Sequence, residues 1–225
     1  MKKLFKSLTK FEWCLWISSI VTITLSFMIY SNDYLTLTAS LIGVTALIFV
    51  AKGMVAGQVL TVIFAVFYGI ISYFFTYYGE MITYLCMTSP IAILTVIQWL
   101  KHPFEKSDEV EVNRLTKRQI IIMLILGSII TVIFYFILKA FGNANLILST
   151  ISIFTSFLAS YLTFMRSAYY GLGYAVNDLV LIFLWSFATM ENISYMPMTV
   201  CFAVFFLNDS YGFINWQRMK KRQMK

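Results

Sequence analysis

The chain has 225 residues and a mass of 26.0 kDa; 60% of its residues are hydrophobic, 12% are charged, and its mean hydropathy is +0.80. A soluble domain runs at about 45–50% apolar and about 25% charged residues, and a chain of this size cannot hide such an excess in one core. A soluble enzyme, a disordered chain and, despite the net charge of +7, a nucleic-acid-binding module are therefore excluded, and the solvent for most of the protein is lipid.

A membrane span needs about 20 mainly apolar residues, and eight such runs follow one another. The first, Trp13–Tyr30, comes after Lys2, Lys3, Lys6 and Lys10. It exits through Phe27–Met28–Ile29–Tyr30 into Ser31–Asn32–Asp33 with no small-x-small cleavage pattern, so it reads as an uncleaved span. Leu35–Ala51 is short and turns at Lys52 into Met54–Tyr78; Met81–Leu100 then closes on Gln98–Trp99. The longest break, Lys101 to Arg118, is a loop rich in both charges, and its His102 beside Pro103 reads as a solvated histidine. Thr116 and Gln119 have the spacing of a capping box and mark the start of Gln119–Phe141. Asn145–Met165, Ala168–Met190 and Met196–Trp216 complete the set. Cys14, Cys86 and Cys201 lie inside apolar runs without CxxC spacing and read as packing residues, so no metal and no cofactor is expected.

Counted alternately from a cytoplasmic N-terminus, every one of the 17 Lys and Arg residues except Lys139 falls on the inside, which supports eight spans with both termini cytoplasmic. The basic C-terminal stretch is then a topology signal that also suits anionic membrane lipid. The chain also repeats. Lys52 is followed five residues on by Gly57, Arg166 five residues on by Gly171, and Gln98–Trp99 is echoed by Asn215–Trp216. Like-oriented three-span units need an odd number of spans between them, and Gln119–Phe141 supplies that joint. The expected fold class is an all-α polytopic membrane protein with eight transmembrane helices. Its parts are an extra N-terminal helix (1–34), a first three-helix repeat (35–100), a cytoplasmic loop and linking helix (101–144), a second three-helix repeat (145–217) and a basic cytoplasmic tail (218–225). Parallel repeats of this kind place a site near the bilayer midplane between them.

Two acids lie deep in spans, Asp178 and Asp209, each preceded by an asparagine, Asn177 and Asn208. Together they would cost roughly 5–7 kcal/mol unless solvated or paired, and no Lys or Arg lies in a span interior to neutralise them. Helical spacing puts Asp178 and Trp185 on one face, Asn208, Tyr211 and Asn215 on a second stripe, and Asp209, Gly212 and Trp216 on the stripe beside it. Gln58, Tyr68, Tyr84, Gln98 and Trp99 are weaker candidates from the first half. Amides and aromatic rings around buried acids suit a flat, polar, cationic heterocycle, with stacking and cation–π attraction to the rings and paired hydrogen bonds to the amides. The alternative is that the Asn–Asp pairs stitch helices together, each bond contributing about 0.6 kcal/mol.

The stretches Ser149-Thr-Ile-Ser, Tyr161-Leu, Arg166-Ser, Asn177-Asp178 through Trp185, and Phe206-Leu-Asn208-Asp209-Ser-Tyr211-Gly212-Phe-Ile-Asn215-Trp216 closely resemble the PnuC family of vitamin transporters. Ala51-Lys52-Gly53, Gly57, Tyr68-Gly69, Tyr78-Gly79-Glu80-Met81 and Gln98-Trp99 fit more loosely, so the resemblance covers about Leu35 to Trp216. It implies uptake of nicotinamide riboside by facilitated diffusion and a fold like that of the SWEET sugar transporters. It further implies a homotrimer, and trapping of the vitamin by a cytosolic kinase that phosphorylates it. The substrate contacts it implies are Asn177, Asp178, Trp185, Asn208, Asp209, Tyr211, Asn215 and Gln98, with Tyr68 and Tyr84 as further aromatic candidates. The segment Ala168-Tyr169-Tyr170-Gly171-Leu172-Gly173 is richer in glycine than the family pattern, so the cytoplasmic end of the cavity is expected to be shaped differently. The rival readings are the same architecture carrying thiamine or riboflavin, an intramembrane enzyme using Asp178 and Asp209 as a carboxylate pair, and a non-transporting receptor subunit. The expectation is a transporter in the inner membrane, not an enzyme.

Overall fold

The computed structural model of the protein describes residues 5–31, 33–74, 78–105, 107–143 and 145–224. Lys2, Lys3, Lys106 and Lys225 of the charge pattern, Asn32 of the first loop, and the expected end of the third span at 75–77 lie outside the described residues. Among the described residues, eight helices are long and apolar enough to cross a membrane. They are α1 (Lys10–Tyr30), α2 (Tyr34–Ala51), α3 (Val55–Phe74), α4 (Gly79–Leu100), α5 (Lys117–Ala140), α6 (Leu146–Phe164), α7 (Tyr170–Glu191) and α8 (Met196–Gln223). Among the described residues the only β pairing is isolated bridges.

Local chemistry sets the helix limits. At the start of α5 the expected capping box forms: Thr116 Oγ1 accepts from the Gln119 backbone, and Gln119 returns the bond to the Thr116 N–H. The same signal, Thr9 with Glu12, starts α1 three residues before the apolar run suggested. In α4 the stretch Thr83–Thr88 is π-helical, and the Ser89 N–H bonds to the Tyr84 carbonyl. Pro90 follows at once; it has no N–H to continue the ladder, and the helix widens just before it. The last helix runs to Gln223, seven residues beyond the limit expected at Trp216. Lys220, Lys221 and Arg222 in its final turn complement the helix dipole, so the basic tail is a helical extension.

The helices form one bundle. α8 packs against α7, α2 and α1; α2 against α3; α4 against α3 and α6; and α7 against α6. α5 packs chiefly on α6, through Gly127, Phe134 and Leu138, and leaves Ile121, Ile125, Ile129, Val132 and Phe136 exposed. On a membrane-spanning helix such an apolar outer surface is the lipid-facing one.

Both termini lie at one end of the bundle. There the α2–α3 and α6–α7 turns adopt the same shape, with a left-handed residue at Gly53 (φ +67°) and at Arg166 (φ +56°). In each, the next N–H reaches back to a helix carbonyl: Met54 to Phe49 at 3.0 Å, Ser167 to Leu162 at 2.9 Å. The structural register thus pairs Gly53 with Arg166, one residue off the Lys52–Arg166 match read from sequence. The charged loop is folded onto both turns. Val110 N donates to the Gly53 carbonyl and Asn113 N to the Arg166 carbonyl, each at 2.9 Å. Val110 is fully buried, Arg166 pairs with Glu111 at 3.3 Å, and Arg222 pairs with Glu109. The Gln223 side chain accepts from Val112 N at 2.7 Å and donates to the Val110 carbonyl at 3.1 Å, which ties the loop to the extension of α8.

The glycines of the 168–173 segment serve helix contact. A Cβ on Gly171 would lie 2.6 Å from the Asp209 carbonyl oxygen and 2.9 Å from Phe213 Cα; one on Gly173 would lie 3.0 Å from Ala159 Cα. They bring α7 against α8 and α6 instead of reshaping a cavity mouth. Gly171→Ala should cost about 3 kcal/mol, the top of the range for overpacking, because backbone atoms cannot step aside. Thermal unfolding in detergent checks this; a parent-like midpoint would contradict so close an approach.

Candidate functional site

Midway through the bundle α2, α3, α4, α6, α7 and α8 enclose a cavity of about 80 Å³. Asp178 and Asp209 line it, and both carboxyls are buried and interact with one another. Gln58, Thr61, Thr88 and Asn177 add polar groups, and Phe64, Tyr84, Phe202, Phe205, Tyr170 and Tyr174 supply rings. Among the described residues, no Lys, Arg or His lines it. Asn177 Oδ1 accepts from Thr155 Oγ1 at 2.8 Å, an orientation that leaves its amide N–H groups for the chamber. Tyr170 Oη and Asp178 Oδ2 are buried with no hydrogen-bond partner among the described residues. Buried polar groups are nearly always paired, so these two are set to bond whatever occupies the chamber.

Of the residues expected from sequence, the structure brings Asn177, Asp178, Asp209, Tyr84 and, from the weaker candidates, Gln58 together here. The others lie elsewhere. Tyr68 and Trp185 line a separate vestibule of about 190 Å³ toward the end of the bundle opposite the termini, where Trp185 meets Tyr195 at 5.7 Å. The stripe Asn208, Tyr211 and Asn215 is turned onto its neighbours α1 and α2. Asn208 Nδ2 donates to Ser19 Oγ at 2.9 Å and to the Val204 carbonyl. Tyr211 Oη donates to Glu12 Oε1 at 2.8 Å, and Asn215 Nδ2 to the Ala51 carbonyl at 2.8 Å. Gln98 is half-buried and lies outside the chamber lining. The physical reason is α1. It covers that side of α8, so the stripe one residue along, Asp209, Gly212 and Trp216, is the one that faces inward.

α1 is held there by chemistry. Glu12, 2% exposed, receives Lys52 Nζ at 3.2 Å as well as the Tyr211 hydroxyl, and Trp16 Nε1 donates to Thr45 Oγ1 at 3.1 Å. Below the chamber, Trp99, Trp216 and Tyr170 form a floor in which all three are fully buried. Trp216 packs with tilted rings against Tyr170 at 4.7 Å and Trp99 at 5.4 Å between ring centroids. Trp99 Nε1 donates across to the Thr163 carbonyl at the end of α6, and Trp216 Nε1 donates to the Val50 carbonyl at the end of α2. Above the chamber, Leu181, Phe202 and Phe205 pack with Tyr68 and Trp185 and separate it from the vestibule.

Sequence reasoning missed Thr61, Thr88, Ser156, Tyr170 and Tyr174 as lining residues and Thr155 as the partner of Asn177. The hydroxyl residues carry no signal in a span, because Ser and Thr satisfy themselves on their own helix carbonyls, as Thr61 does on Gly57. The interleaved spacing of Tyr170, Tyr174, Asn177 and Asp178 along α7 was the available sign.

The model of a family described as nicotinamide mononucleotide transporter matches residues 33–218. A protein from Neisseria mucosa named nicotinamide riboside transporter PnuC is 26% identical over 227 residues, covering 98% of this chain and 86% of the relative. A protein of the same name from Haemophilus influenzae is 23% identical over 194 residues, covering 85% and 82%. A crystal structure described as that of the vitamin B3 transporter PnuC superposes with a TM-score of 0.82 at 25% identity, covering 96% of this chain and 94% of the other. Its eight-helix fold, its central chamber and these likenesses agree, and the chain belongs to the nicotinamide mononucleotide transporter family.

Proposed function

We propose that this protein imports nicotinamide riboside by facilitated diffusion and that a cytosolic kinase traps the vitamin by phosphorylating it. The carrying observation is the polarity of the chamber: two carboxyls and, among the described residues, no cationic side chain in its lining. Nicotinamide riboside is a pyridinium cation with no phosphate. Its mononucleotide carries a phosphate that would face Asp178 and Asp209 with no Lys or Arg to receive it, so the riboside named for the two relatives suits this lining better than the mononucleotide of the family description. Phe64, Tyr84 and Phe205 offer ring faces and edges, and Asn177 and Gln58 offer amides to the carboxamide and ribose hydroxyls.

The termini are read as cytoplasmic from the Lys and Arg distribution, in an inner membrane, with the vestibule end outward. The reciprocal bonds of Trp99 and Trp216 and the matched turns at Gly53 and Arg166 support two like-oriented three-helix units, α2–α4 and α6–α8, linked by α5. A cavity of about 80 Å³ is smaller than the roughly 300 Å³ and more of a typical ligand pocket. This conformation is contracted, and the units must part for a nucleoside to enter. The resemblance supports assembly as a homotrimer in membrane lipid.

Uptake into proteoliposomes tests the reading. Labelled nicotinamide riboside should enter saturably, and nicotinamide mononucleotide should neither enter nor compete. An inside-negative potential of 100 mV should raise the accumulation ratio about 50-fold, since one charge gains about 2.3 kcal/mol. Mononucleotide uptake, or indifference to potential, would refute it. Uptake of thiamine in place of the riboside would favour the rival vitamin.

A further inference from the structure

A second polar cavity, of about 40 Å³, leaves the chamber toward the end opposite the termini, between α4 and α6. It adjoins the chamber, and Tyr84, Thr88, Ser156, Asn177 and Leu181 line both. Beyond them its walls carry the hydroxyls of Thr83, Ser149 and Ser152 beside Leu138, Ile153 and Asn143, and Glu80 lies at its far end. The aromatic vestibule with Trp185 shares no lining residue with the chamber and is sealed from it by Phe202 and Phe205. We infer that substrate passes between the outer face and the chamber through this hydroxyl-lined cleft, and that Glu80 recruits the cationic ring at its mouth.

The inference rests on the proposed import of a cationic nucleoside and on the outward sense of that end. Three further observations carry it. The π-helical stretch Thr83–Thr88 lies at the junction of cleft and chamber, where the helix is already widened and can repack at low cost. Glu80 forms no ion pair among the described residues, so no cation of the protein competes with a solute for its carboxyl. At the outward end the acids Asp33, Glu80 and Glu191 outnumber the single cation Lys139, and an anionic mouth with low-dielectric walls concentrates cations. Asp33 is committed as the N-cap of α2, accepting from Leu35 N and Thr36 N. Glu80 is the acid that leads to the chamber.

The test uses the full-length protein with the exposed Cys14 and Cys86 replaced by alanine, reconstituted and treated from outside with a membrane-impermeant cationic methanethiosulfonate. Labelled Ser152→Cys should lose at least tenfold in uptake, and nicotinamide riboside should slow its labelling. Labelled Ser194→Cys, in the vestibule, should keep uptake within twofold. Glu80→Gln should raise KM five- to tenfold with Vmax within twofold, and should lose the parent's sensitivity to ionic strength. Unimpaired uptake after labelling Ser152→Cys, failure of that cysteine to label, or loss of uptake on labelling Ser194→Cys would overturn the route. A parent that binds and carries no nicotinamide riboside would instead overturn the substrate reading on which the route rests. Size-exclusion profiles and riboside binding by each variant separate misfolding from these outcomes.

Discussion

Asp209→Asn should weaken nicotinamide riboside binding by one to two powers of ten while leaving the protein as stable as the parent or more so. The carboxylate lines the chamber with Asp178 and has no cationic partner there. At an effective dielectric constant near 20, a carboxylate about 6 Å from a pyridinium gains roughly 2–3 kcal/mol, which sets the loss in affinity. The stability effect has the opposite sign. An acid in a span interior costs about 2.5–3.5 kcal/mol, and the amide relieves part of that. Calorimetric titration beside thermal unfolding separates the two effects. Parent-like affinity would remove Asp209 from the site; loss of stability with loss of affinity would make it a packing residue.

Glu12→Gln should lower the midpoint of thermal unfolding in detergent by roughly 10 °C. It strands Lys52, whose side chain is 16% exposed, beside a neutral amide, and it weakens the acceptor of the Tyr211 hydroxyl. Removing one partner of a buried pair costs about 3–5 kcal/mol, and for a chain of this size each kcal/mol moves the midpoint by about 2–4 °C. The double variant Glu12→Gln with Lys52→Met should recover most of the loss, because the uncompensated charge goes with the lysine. Riboside affinity should stay within threefold in both, since neither residue lines the chamber. A parent-like midpoint for the single variant would mean that α1 is held by apolar contact alone.

These two residues show what the sequence discloses. Hydropathy and the Lys and Arg distribution gave eight spans because the bilayer imposes a length that any apolar run must meet. The deep acids were visible because an ionisable residue in a span is costly, and two of the chamber's principal groups, Asp178 and Asp209, were found that way. Which stripe of α8 faces inward was not visible. Asn208, Tyr211 and Asn215 carry the same residue types as a binding face, and their true partners, Ser19, Glu12 and Ala51, are 189, 199 and 164 residues away. Helical periodicity reports which side chains share a face and says nothing of which neighbour covers it. Trp185 lies apart from Asp178 for a related reason. Seven residues along a helix keep the direction of Asp178 but displace the ring by two turns, about 10 Å, into another compartment. The fold of the 101–118 loop was equally hidden, because backbone bonds such as Val110 to Gly53 leave no trace in side-chain pattern.

The crossed indole bonds at the floor bear on how that end can unlock. Trp99 reaches from α4 to the end of α6 and Trp216 from α8 to the end of α2, so releasing Trp99 from Thr163 while Trp216 still holds Val50 creates no aperture. It would still strand a buried donor and acceptor, at about 1–3 kcal/mol. A half-undone floor therefore carries a penalty without a passage, and the floor opens only once both clasps have let go.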